Sequence, residues 1–307
     1  MSTVTIRKRS SAPPATRRTR PRRVNLGRHL ERLEIQPADV LGWSADACNT
    51  AMAAYTDVRP RRFTISSEPT QSKFAKAASV GALQTGVSYA NDRLELADGT
   101  ILVTCPWADR HVGGCVENCI AETGRMGFDI ARNAREWRTT WLYRDPISHI
   151  ATMMREIAAL ARMAERQGLT PVYRPDTTSN IRWPRVLPWL ADVFPTVEFV
   201  DYDRSPDSAT YAAAGWSVAH SMNARKDPVG AIFAMVESGV SASVIVDDPA
   251  PLLEMGAPFA DADASDLWMV TDVPVAGLLK AKRPMRQDHP TVYRAADIID
   301  YMRGATS

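Results

Sequence analysis

Cys105, Cys115 and Cys119 place three of the chain's four cysteines in one stretch, Cys-Pro-Trp-Ala-Asp-Arg-His-Val-Gly-Gly-Cys-Val-Glu-Asn-Cys. They directly follow the apolar run Ile101-Leu102-Val103. Three thiolates at a strand end can hold a [4Fe–4S] cluster and leave one iron open for a further ligand. With one more ligand, His111 or Cys48, the same thiols close a zinc site instead. Gly113-Gly114 allows the loop to fold tightly around a cluster. A third reading has no metal, with the thiols buried as small hydrophobes. All three stand at this level.

A second set of chemistry-bearing residues falls where other apolar runs end. Arg174 begins Arg-Pro-Asp-Thr-Thr-Ser179-Asn180, another run closes in Tyr202-Asp203-Arg204, and two more lead into Ser221 and Asp247. If the strands are parallel, these residues share one rim with the cysteines and form a polar pocket for a cofactor. Arg174 and Arg204 suit a carboxylate or phosphate through bidentate pairing. Asp176, Asp203 and Asp247 suit hydroxyl recognition or proton transfer. The competing reading is local, with Thr178, Ser179 and Asn180 serving as helix caps.

Apolar strands alternating with amphipathic helices position these residues. From Ile101 onward, short runs such as 170–174, 197–202, 215–220, 242–246, 268–270 and 275–279 alternate with helical stretches at 127–144, 146–167, 183–193 and 228–238. That alternation predicts an α/β fold, a barrel or partial barrel whose chemistry lies at the C-terminal ends of its strands. Residues 24–96 read as a helical N-terminal layer, with strand-like pieces at 62–65 and 92–96. Residues 97–300 read as the barrel domain.

Residues 1–23 carry eight basic side chains and no acid, with Pro13, Pro14 and Pro21 among Ser and Thr. Such a segment buries no core and reads as a disordered basic arm. It suits contact with nucleic-acid phosphates, though without aromatic residues to stack on bases. The remaining composition, 45% hydrophobic and 23% charged, is that of a soluble globular protein. No apolar run approaches the roughly 20 residues that span a bilayer, so a membrane partner is not expected. Few cysteines, clustered in one loop, fit a reducing cytoplasm better than a disulfide framework. No phosphate-cradling glycine loop occurs, which argues against simple nucleotide hydrolysis. Oligomeric state is not encoded in any of these features.

Cys105-Pro-Trp-Ala, Cys115-Val-Glu-Asn-Cys119-Ile-Ala and Gly124-Arg125 together resemble the cysteine motif of the phage and plasmid "gene product 88" family. Shorter matches follow in order: Arg174 to Trp183, Phe199 to Arg204, Ser221, Asp261 to Asp266, and Gly277 to Lys282. The family's cysteine loop is similar to that of radical S-adenosylmethionine barrels, without their Cys-x3-Cys-x2-Cys spacing. The resemblance implies a [4Fe–4S] cluster on Cys105, Cys115 and Cys119, with S-adenosylmethionine held at the strand ends. It places the chain in a host cytoplasm, with a nucleotide or nucleic acid as the expected substrate. The alternative is a zinc-stabilised nucleic-acid-binding protein without catalysis.

Overall fold

Ten strands form in the computed structural model, which describes residues 21–55, 76–117, 119, 121, 124–205, 207–210, 215–281 and 288–305. They are β1 (Arg23–Asn25), β2 (Ala82–Gly86), β3 (Arg93–Glu95), β4 (Ile101–Val103), β5 (Thr170–Arg174), β6 (Glu198–Asp203), β7 (Trp216–Ser221), β8 (Ser241–Val246), β9 (Phe259–Asp261) and β10 (Ala276–Lys280). The basic arm up to position 20 and the strand-like piece at 62–65 lie outside the described residues.

Seven strands pair in the order β2-β5-β6-β7-β8-β10-β9, every pair parallel. The sheet stays open, with β2 and β9 as its edges, and curls into a half barrel. The expected α/β partial barrel is therefore present. Side-chain alternation divides its faces. Tyr173, Phe199 and Trp216 enter the core beneath the helices, whereas Val172, Val200 and Ala219 pack with Ala82 and Met269 on the inner face.

The helix Pro146–Gln167 buries Ile150, Met153, Met154, Ile157, Leu160 and Ala164 against the outer face. Their spacing of three and four residues makes one apolar stripe, and each large side chain contributes about 1.5–3 kcal/mol on burial. Gly168, at φ 64°, ends the helix and directs the chain into β5. Among the described residues, no helix is long and apolar enough to cross a membrane.

Several elements differ from the sequence expectation. Residues 82–86, expected in the N-terminal layer, form an edge strand of the main sheet. Ile101–Val103 is a strand, but it pairs with β1 and antiparallel β3 in a separate three-stranded sheet. The cysteine loop thus follows β2 through an inserted hairpin and is not the direct exit of a main-sheet strand. Trp183–Val193 forms two short helices, Trp183–Val186 and Leu190–Val193. Trp268-Met269-Val270, expected as a strand, instead belongs to a 3-10 turn, Asp266–Met269, capped by the Ser265 hydroxyl.

That turn closes the inner face. The Trp268 ring lies over Gly277, where an added Cβ would come within 2.5 Å of it. Gly277→Ala must displace the indole, which also donates to the Tyr202 hydroxyl at 3.3 Å. A loss of about 1–3 kcal/mol in urea denaturation is expected. A loss below about 0.5 kcal/mol would mean that the ring does not seal this face.

Candidate cysteine and strand-end site

The cysteine loop is fixed at both ends by backbone hydrogen bonds. The backbone N–H groups of Thr104 and Cys105 both donate to the Asp92 carbonyl, at 3.0 and 3.3 Å. The Asn180 N–H donates to the Thr104 carbonyl at 3.0 Å, joining the loop to the segment after β5. Gly114 has no room for a side chain, because a Cβ there would meet the Asp109 carbonyl. Cys115 and Cys119 lie in successive turns, not on the single helical turn that their spacing suggests.

Cys105, Cys115 and Cys119 are each partly buried and make no disulfide. Burial pushes the Cys105 thiol up to about 12, with the Cys115 thiol adding to the rise and Arg204 opposing it. Cys119 and Asp176 are also near enough to raise it. The loop therefore reaches the C-terminal ends of β5 and β6, as the shared-rim argument requires. The Asp109 N–H donates to the Cys115 sulfur at 3.3 Å, a bond that favours a thiolate. The chemistry of this donor set, three thiols beside a guanidinium, suits a soft metal or an iron–sulfur cluster. The sulfurs are not drawn together in this arrangement: among the described residues, no three His, Cys, Asp or Glu side chains converge to hold a metal ion. His111, the suggested fourth zinc ligand, is exposed, and its N–H donates to the Asp109 carboxylate at 3.1 Å. Cys48 is buried in the core under the helices.

The strand-end residues form one hydrogen-bonded rim. Asp176 accepts from the backbone N–H groups of Thr178, Ser179 and Ile181 and from the Ser179 hydroxyl, at 2.6–3.2 Å. Burial nevertheless holds its pKa above the ordinary carboxylate range. Asn180 donates its side-chain amide to Asp203 at 2.6 Å and accepts from the Arg204 N–H at 3.0 Å. Asp203 also accepts from the Ser205 N–H at 2.9 Å and the Ser208 hydroxyl at 3.3 Å, and makes a short bond with the Ser205 hydroxyl. Ser208 contacts His220 Nδ1 at 3.1 Å, and burial lowers the His220 pKa.

Arg174 and Tyr202 face inward, and the guanidinium lies 4.2 Å from the phenol ring centre. Tyr202 donates to the fully buried Asp266 at 2.7 Å, and Gln84 donates to the same carboxylate. Arg174 is occupied further by the carbonyls of Asp176 and Thr177. Ser221 pairs in register with Ser243 on the inner face and makes no side-chain hydrogen bond among the described residues. Asp247 lies farther along the rim, where it accepts from the Asp248 and Ala295 N–H groups, both at 2.8 Å.

Sequence reading missed the two side chains that link the cysteine loop to the rest of the rim. Asp109, only 4% exposed, sits 3.5 Å from Lys226 and 3.9 Å from Arg225. Arg225 also donates to the Val112 carbonyl at 2.8 Å, so the loop after β7 holds the cysteine loop from the other side. Asp109 lies within the cysteine stretch, which is the one local signal that could have identified it.

An open parallel half barrel with a cysteine loop across its C-terminal rim defines the class of protein. Residues 65–281 match the family described as Gene product 88, and the chain belongs to that family. No curated protein and no solved structure matches the chain.

Proposed function

We propose that the chain is an iron–sulfur enzyme of the radical S-adenosylmethionine kind, with Cys105, Cys115 and Cys119 as the cluster's three protein ligands. The observation that carries this reading is the meeting of the three thiols with Arg204 and Asp176 at the rim of an open parallel half barrel. When bound, such a cluster supplies an electron to a sulfonium held at its open iron, and so starts radical chemistry. The chain's own part is to hold and screen that centre. Arg204 offsets the negative charge of the thiolates, and the Asp109 N–H stabilises the Cys115 sulfur. Ser221, with a hydroxyl open to the inner face, is the strand-end group best placed to take a cofactor hydroxyl or carboxylate. Ser179, Asn180 and Asp203 act by holding the rim in shape, since their polar atoms already engage one another.

Purification without oxygen, followed by iron and zinc assays and an absorption spectrum, tests the reading. A brown protein with about four irons per chain and a broad band near roughly 400 nm is expected. Stoichiometric zinc without iron would transfer the thiols to a structural site and remove the enzyme reading.

A further inference from the structure

The largest cleft among the described residues lies beside the cysteine loop and is open to solvent, with a volume of about 700 Å³. That volume suits a small-molecule ligand. One wall is the loop after β7, another is Asp247 at the end of β8, and the third is the segment 288–297. Pro290 in the third wall packs against Gly113, and His289 Nε2 lies 3.7 Å from the Glu117 carboxylate, so this wall adjoins the thiols' own loop. Tyr293 in the same wall lies near Arg204, the guanidinium that also acts on Cys105.

The lining alternates apolar and acidic groups. Pro228, Val229, Pro290 and Val292 give aliphatic surface. Asp227, Asp247, Asp288 and Asp297 stand around it, against one guanidinium, that of Arg294. Asp227 and Asp247 are anchored by backbone N–H groups. Asp288 and Asp297 are exposed and make no side-chain hydrogen bond or ion pair among the described residues. The His289 side chain is only 11% exposed, and its buried Nε2 has no hydrogen-bond partner. Asn223, 1% exposed and next to the first wall, likewise holds an amide nitrogen without a partner.

We infer that this cleft binds a small aliphatic polyamine, its ammonium groups on the aspartates and its methylene spacers on the proline and valine surface. The carboxylates are spread around the cleft and no three converge on one point, so spaced ammonium groups match them better than a compact metal cation. The same carboxylates repel a phosphate, which sets this cleft against the nucleotide suggested by the arginine arm. The inference rests on the enzyme reading for the role of substrate, and on the cleft alone for binding.

Calorimetric titration of the full chain with spermidine tests it, with adenosine monophosphate as the anionic probe. Spermidine should bind, weaken as salt rises, and outcompete the nucleotide. The double variant Asp288→Asn, Asp297→Asn should weaken binding about five- to tenfold with an unchanged melting temperature. A control pair on other surfaces, Asp192→Asn with Glu237→Gln, should leave affinity unchanged. No binding at millimolar spermidine, equal binding by the cleft variant, equal loss in the control pair, or preference for the nucleotide would each overturn the inference. Iron content, measured on the same protein, separates that failure from failure of the enzyme reading.

Discussion

Cys115→Ala is expected to bring the iron of anaerobically purified protein from about four per chain to background, with loss of the visible band. The effect should be nearly complete because three protein thiolates are the fewest that this loop can offer a cluster, and none of the neighbours replaces one. His111 is exposed, and Asp109 is already engaged by Lys226 and the His111 N–H. Cys105→Ala and Cys119→Ala should behave in the same way. Cys48→Ala is the control: its thiol is buried in the helical core, so it should keep the iron and lose only packing stability. Iron retained at the parent level in Cys115→Ala, with an intact fold by circular dichroism, would refute ligation by this residue. Zinc lost in place of iron would point to the structural site.

The central strands were legible in the sequence because they follow a local pattern. β5, β6, β7 and β8 are short apolar runs bounded by turn residues, and burial on both faces is what such runs encode. β2 was not legible for a specific reason. Its Gln84 and Thr85 are polar yet buried, and Gln84 is satisfied by Asp266, 182 residues away. No local window contains that partner. Trp268-Met269-Val270 failed in the opposite direction, since its apolar character serves to cover Gly277 and Tyr202 and not to extend the sheet. The site divides along the same line. Clustering of the three cysteines is a feature of composition and could be seen at once. Their approach to Arg204 and Asp176 followed from parallel strands sharing a rim. Strand Ile101–Val103 was identified correctly but assigned to the wrong sheet, because periodicity shows that a strand exists and not which strand it pairs with. The acidic cleft was invisible, as its walls come from three separate loops whose residues look like ordinary turn and cap chemistry.

Asp203→Ala is expected to destabilise the fold by about 3–5 kcal/mol, measured by urea denaturation. Asp203 is 2% exposed and accepts from Asn180, Ser208, and both the N–H and the hydroxyl of Ser205. Removing the carboxylate leaves those donors buried without an acceptor, whereas Asp203→Asn keeps one acceptor oxygen and should cost only about 1–2 kcal/mol. The two variants therefore separate loss of hydrogen bonding from loss of charge. A second consequence reaches the cysteines. Asn180, held by Asp203, donates its own N–H to Thr104, the residue before Cys105. Loosening Asn180 frees that end of the cysteine loop, so Asp203→Ala should also lower iron occupancy under conditions where the protein is still folded. A cost below about 1 kcal/mol would show that water replaces the carboxylate and that the rim is solvated. Full iron occupancy in a destabilised Asp203→Ala protein would show that Asn180 does not position Cys105.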